Sequence, residues 1–185
     1  RIPESVITMS VTFAYCSALT AAPDIPSGVT DLRSTFYGCT AMKTAPVIPA
    51  GVTDLSDTFF ECSSLTEAPQ IPAGVTSLRY TFYLCTSLAS APAIPDSVTD
   101  MRGAFGNCSS LVFASTIPAN VTEMTDTFIG CTMLTGEIEI HANPTSYDCC
   151  FSVTHQPITL TGSSSMLSEL AATGNNGNVT VQLSE

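Results

Sequence analysis

One step of 23 residues governs this chain. Cys16, Cys39, Cys62, Cys85, Cys108 and Cys131 fall at that interval, and no insertion or deletion interrupts the series. Phe13, Phe36, Phe59, Phe82, Phe105 and Phe128 keep the same step, as do the prolines from Pro3 to Pro118 and the valines from Val6 to Val121. A fixed period in the range of roughly 20 to 50 residues marks a solenoid, whose units lack a closed core and bury apolar side chains only against their neighbours. Units of that kind cannot be cut into separate globules, so the six repeats over 1–139 read as one elongated array. Residues 140–185 read as a cap packed on its end.

Spacing inside a unit assigns the local structure. The units read Ile-Pro-x-x-Val-Thr-x-Leu-x-x-Thr/Ala-Phe-x-x-Cys-x-x-Leu-x-x-Ala-Pro, with Met42 and Met101 standing in for Leu. Phe82, Cys85 and Leu88 step by three, which predicts a short helical or 3₁₀ turn with one inward face. Val75, Thr76 and Leu78 favour extended backbone and follow the turn Pro72-Ala73-Gly74. Leu88 to Ile94 makes the other extended side, but Pro92 has no amide to donate there, so short strands and an irregular sheet are expected. The fold class is therefore a mixed α/β repeat solenoid. A small apolar thiol suits the cysteine column; pairing is the alternative, because stacked positions lie near disulfide distance, although with parallel side-chain vectors.

Charge removes several functions. The 185 residues carry 5 Lys plus Arg against 16 Asp plus Glu, for a net charge of −11. Nucleic acid is not an expected partner, since phosphate binding needs clustered cations and only Arg1, Arg33, Lys43, Arg79 and Arg102 are present. Anionic membrane surfaces are disfavoured on the same ground, and no apolar run approaches the roughly 18 residues that span a bilayer. The chain opens on Arg1 with no basic-then-apolar leader, which reads as a mature or trimmed fragment. In the first unit Ile7 and Val11 take positions that are polar in most later ones, as expected where a preceding repeat has been removed or a partner covers the end.

The phrase Cys62-x-x-Leu65-x-x-Ala68-Pro69-x-Ile71-Pro72-x-x-Val75-x-x-Leu78-x-x-x-Phe82-x-x-Cys85 resembles the BspA-like leucine-rich repeats of the Treponema type. It is most similar to the variant with Val-Thr-x-Met and Phe-x-x-Cys found in mycoplasma lipoproteins and gut-bacterial surface proteins. The resemblance runs from Ile2 to about Glu139. It departs from the commonest form at Ala68-Pro69, where an Ile-x-Ile strand usually sits. What the resemblance implies is a right-handed leucine-rich-repeat solenoid on a secreted or surface-anchored bacterial protein, extracellular in location. It also implies adhesion to host or bacterial proteins, no catalytic residues and no cofactor.

After Gly136-Glu137-Ile138-Glu139 the repeat is expected to stop, because Thr154 stands one period after Cys131. Pro157 to Leu160 reads as a strand. Ser163 or Ser164 is placed to cap a helix running to Ala172, with Met166, Leu167 and Leu170 on its apolar face. Gly174 ends it, Asn175 to Asn178 turn, and Val179 to Leu183 alternate as a last strand.

Four groups of residues are candidates for function. The position after each Phe reads Ala14, Tyr37, Phe60, Tyr83, Gly106, Ile129, so Tyr37, Phe60 and Tyr83 form an aromatic ridge suited to ligand binding; the plainer reading is that the rings shield a turn. Asp31, Asp54, Ser77, Asp100 and Glu123, with Arg33, Ser56, Arg79, Arg102 and Thr125 two places on, predict a solvated ion-pair ladder rather than a calcium site. His141, Tyr147, Asp148, Cys149, Cys150 and His155 could make a thiol nucleophile or metal site, yet no pair has ligand spacing, and packing or a disulfide to Cys131 is preferred. Asn107, Asn120 and Asn178 open sequons that matter only in a glycosylating source. The function read is a non-catalytic recognition module for a protein, or less favourably a glycan, with no metal or cofactor; the alternative is a spacer that projects another domain.

Overall fold

The computed structural model describes residues 1–163, 165–174 and 177–182. Each period forms one coil, and equivalent residues of adjacent coils meet in parallel bridges: Thr8 to Asp31, Asp54 to Ser77, Ser77 to Asp100 and Asp100 to Glu123 on one side, with Ala21 to Thr44, Thr44 to Glu67 and Ser90 to Phe113 on another. Every Pro-x-x-Val segment closes a turn, the Val amide donating to the Pro carbonyl at 3.1 Å in most coils, as between Val75 and Pro72.

The turn expected around each Phe is present but is not helical. Amides alternate between two acceptors: Thr81, Tyr83 and Cys85 donate three residues back to Leu78, Tyr80 and Phe82, while Tyr80, Phe82 and Leu84 donate to Arg102, Ala104 and Gly106 of the following coil. A helix would keep all of these bonds within itself. Alternation is made possible by two left-handed residues per coil, such as Tyr80 at φ 50° and Leu84 at φ 61°. These supply the positive φ that a type II turn needs at its third position.

Identical side chains of successive coils therefore stack along the axis. The rings of Phe13, Phe36, Phe59, Phe82, Phe105 and Phe128 lie parallel at 5.6 to 5.7 Å between neighbours. From Phe36 on they are fully buried, with Val29, Leu32, Cys39 and Met42 and their later equivalents around them. All eight cysteines are free thiols. Cys39, Cys62, Cys85, Cys108 and Cys131 donate S–H to the Phe carbonyl of the preceding coil at 3.0 to 3.2 Å, for example Cys85 to Phe59. A buried Thr column works in parallel: Thr35, Thr58, Thr81 and Thr127 each donate Oγ1 to a carbonyl 26 residues back at 2.9 Å. Buried polar groups need such partners, and these two columns tie each coil to the one before it.

Where the repeat was expected to stop, one more coil follows. Phe151 stacks on Phe128 at 5.5 Å, Pro144 is buried in the valine column, and Ser146 bridges to Glu123. Cys149 at φ 55° and Val153 at φ 61° repeat the two left-handed positions. Thr154 replaces the cysteine; buried, it donates to Phe151 instead of the preceding coil. On the proline side the step shortens: Gly136 pairs with Ile158 and Ile158 with Val179.

That side now carries true strands. β1 (Gly136–Glu139), β2 (Ile158–Thr161) and β3 (Val179–Val181) form a parallel sheet in the order β1-β2-β3. The contrast with the isolated bridges upstream follows from sequence: Gly-Glu-Ile-Glu donates amides where Ala-Pro cannot. Between β2 and β3 lies α1 (Leu167–Ala171), which buries Leu167 and Leu170. The helix is shorter than expected, and the residue before it, Met166, offers no side-chain cap. Ser163 instead lies 3.1 Å from His141 Nδ1. Ser164, Asn175, Asn176 and Leu183 fall outside the described residues.

Candidate functional site

The frame faces inward, so any site must be built from the columns between. The ring column is one of these, and its rings pack on each other: Tyr37 and Phe60 stack at 4.5 Å and 3°, Phe60 and Tyr83 at 5.2 Å and 16°. All three are half-buried. Their faces are consumed along the axis and their edges meet solvent, so a sugar ring seeking a flat aromatic face has none on these three. Tyr83 is held further, accepting a hydrogen bond from Asn107 Nδ2 at 2.8 Å. The column ends there for a steric reason: a Cβ on Gly106 would lie 2.4 Å from the Tyr83 ring.

Two rings that spacing did not assign to this face also belong to it. Tyr15 tilts against Tyr37 at 5.2 Å, and Tyr80 meets Tyr83 edge-on at 5.5 Å. They occupy the left-handed positions, which in most coils carry neither the Gly nor the Asn that would mark them in sequence. Burial, with Tyr15, Glu61 and Asp57 close by, pushes the Tyr37 phenol upward. Asp57, half-buried on the same face, is likewise raised by burial, with Arg79 acting in the opposite sense.

The charged column departs from the ladder expected. Its pairs form within coils: Arg33 to Asp31 at 2.9 Å and Arg102 to Asp100 at 2.6 Å. The Arg33 hydrogen bond holds Asp31 below the usual carboxylate range. In coil three Ser56 replaces Arg, bonding Asp54 and lying 2.9 Å from Ser77 of the next coil. Arg79 is left to sit over the Tyr80 ring, 5.4 Å from its centre.

The residues of the chemistry-like cluster are not brought together. His141 Nε2 pairs with Glu139 at 3.2 Å, Tyr147 donates to Glu169, Cys150 is buried in the core and Cys149 is exposed. Burial pushes the Cys150 thiol far up, opposite to what a nucleophile needs. No group of three His, Cys, Asp or Glu fit for a metal occurs among the described residues. Among the described residues no helix is long and apolar enough to cross a membrane. Asn107, Asn120 and Asn178, which open the sequons, all donate Nδ2 to neighbours.

A groove that spacing did not point to crosses the Ala-Pro-x-Ile-Pro edge. About 570 Å³ in volume, it lies between Pro46, Val47 and Ile48 of one coil and Pro69, Ile71 and Pro72 of the next. Val47 on its rim is 87% exposed. Three prolines without amides, Pro46, Pro69 and Pro72, keep the coils from zipping together here, which is the signal that could have found it.

Comparison with known proteins agrees with this architecture. The family model for BspA type leucine rich repeat regions matches residues 7–135 in 6 copies. A crystal structure of a leucine-rich repeat protein from Bacteroides ovatus superimposes with a TM-score of 0.57 at 16% identity, covering 97% of this chain and 64% of that one. This chain thus spans somewhat less than two thirds of that protein, and the likeness concerns the fold. No curated protein matches.

Proposed function

This chain belongs to the BspA-type leucine-rich repeat family, and on that premise we propose that it is a non-catalytic recognition module that binds a protein through the side chains its coils vary. A surface or secreted location is typical of the family and fits this use, with adhesion to host or bacterial proteins as the setting. One observation carries the reading: the core columns, Phe, Cys, Val and Leu or Met, hold at 0% exposure from coil two on, while the half-exposed ring column changes from coil to coil, reading Tyr37, Phe60, Tyr83, Gly106 and Ile129. An array built only to project another domain has no need of such variety. Tyr37, Phe60 and Tyr83 form the ridge of this surface, half-buried and stacked face to face so that their edges are what they offer. Residues 1–139 supply the face, and 140–185, with the seventh coil and β2-α1-β3, close its end. A protein partner is favoured over a glycan because the ring faces are already stacked.

The test is an array of extracellular matrix and bacterial surface proteins, with a glycan array beside it, probed with the purified chain. Capture on the protein array that a Tyr37→Ala, Phe60→Ala, Tyr83→Ala variant lacks supports the reading. Silence on both arrays shifts it to a spacer.

A further inference from the structure

The face around the ridge is selective in charge as well as shape. Of the five basic residues in the chain, Arg1, Arg33 and Arg102 are engaged by Glu4, Asp31 and Asp100. On the ridge, Asp57 and Glu61 hold the two left-handed positions on either side of Phe60, at φ 57° and 59°, the positions from which Tyr80 and Tyr15 meet the ring column. Neither Glu61 nor Asp57 is in an ion pair among the described residues; half-buried Asp57 feels the field of Arg79 without pairing with it. A carboxylate withdrawn from water and unpaired is costly, and a cation from outside relieves that cost.

We propose that this face, on coils two to four, receives an extended protein segment bearing Arg or Lys, whose aliphatic stems lie along the edges of Tyr37 and Phe60 and whose charged heads reach Asp57 and Glu61. The inference rests on the recognition reading above and names its partner. Arg79 is the precedent inside the molecule: its guanidinium lies over Tyr80, and its field acts on Asp57. Stacked rings offer edges rather than faces, which suits a methylene stem, and the carboxylates take the head.

The experiment measures binding of a labelled peptide of alternating Arg and Thr, with a citrulline counterpart as the uncharged control, at about 0.15 M salt where long-range attraction is screened. The parent chain is compared with Asp57→Asn, Glu61→Gln, and with Asp24→Asn, Glu67→Gln, which removes equal charge from the proline edge. Asn accepts the left-handed backbone of residue 57, so the first variant keeps its fold; a thermal midpoint checks both, and Glu61→Gln alone stands in if the pair unfolds. The expected result is binding of the Arg peptide and not the citrulline one. That binding is weakened about tenfold by the ridge substitutions and less than about twofold by the edge pair. Equal weakening in both variants, or no binding of the Arg peptide, overturns the proposal. If the protein array captures a partner while the Arg peptide does not bind, recognition stands and the cationic assignment falls; if both are silent, both fall.

Discussion

Two stacks of aromatic rings run along this molecule. The inner one holds a Phe in every coil from Phe13 to Phe151, with ring centres 5.5 to 5.7 Å apart. The outer one, Tyr15, Tyr37, Phe60 and Tyr83, is packed at 4.5 to 5.2 Å and stops after coil four. Ring stacking alone therefore does not separate framework from surface. The surroundings do: an inner ring is enclosed by Val, Leu and Cys at 0% exposure, whereas an outer ring rests on other rings with one edge in water. The outer stack can end at Gly106 without disturbing the coil beneath it.

Emptying one inner position should have the largest effect. Phe82→Ala should cost roughly 3 to 5 kcal/mol, the usual loss for a fully buried Phe in the middle of a packed core, read as a shifted denaturant midpoint. Phe60→Ala should cost well under half as much. Similar losses at the two positions would show that the outer stack is framework as well.

The thiols give a second contrast. Cys16 and Cys149 are exposed, and the other six cysteines are buried. Two fast and six slow thiols are expected in native-state alkylation, read by mass spectrometry. Burial raises Cys39 to about 11 and Cys131 to about 12, against about 8.5 for a thiol in an unfolded chain. With the folded value above the unfolded one, the stabilising contribution is intact below about pH 8.5 and is lost as pH climbs toward 11 and 12. The thermal midpoint should accordingly fall through that window.

Smaller effects sharpen the role of the Thr column. Thr58→Ala removes the bond to the Leu32 carbonyl and should cost about 1 to 2 kcal/mol. In coil five Ala104 interrupts the column. Ala104→Thr should restore an inter-coil bond to the Leu78 carbonyl and stabilise by roughly 0.5 to 1 kcal/mol.

The frame was legible because burial forces identity: a Phe, Cys or Val that touches its own equivalents on both sides is constrained the same way in every coil. The left-handed positions were not legible. The first of each coil is Val11, Ser34, Asp57, Tyr80, Gly103, Asp126 or Cys149 and the second Tyr15, Gly38, Glu61, Leu84, Asn107, Gly130 or Val153, columns that share a backbone angle and no residue type. With them went the turn type, Tyr15 and Tyr80. The seventh coil is hidden in the sequence because Thr154 replaces the cysteine that marks the period, while the strands beside it pair at shortened steps. Pro92 and its equivalents did foretell interrupted pairing, although not the groove that it opens. The ridge residues were found as a column; that their faces are spent on one another needed coordinates.

Stability and binding measured on one sample test most directly whether the two stacks have different roles. Tyr37→Ala, Phe60→Ala, Tyr83→Ala should unfold cooperatively within a few degrees of the parent and lose its captured protein. A variant that keeps its partner, or one that unfolds as badly as Phe82→Ala, would contradict the division between an inner stack that holds the coils together and an outer stack that meets the partner.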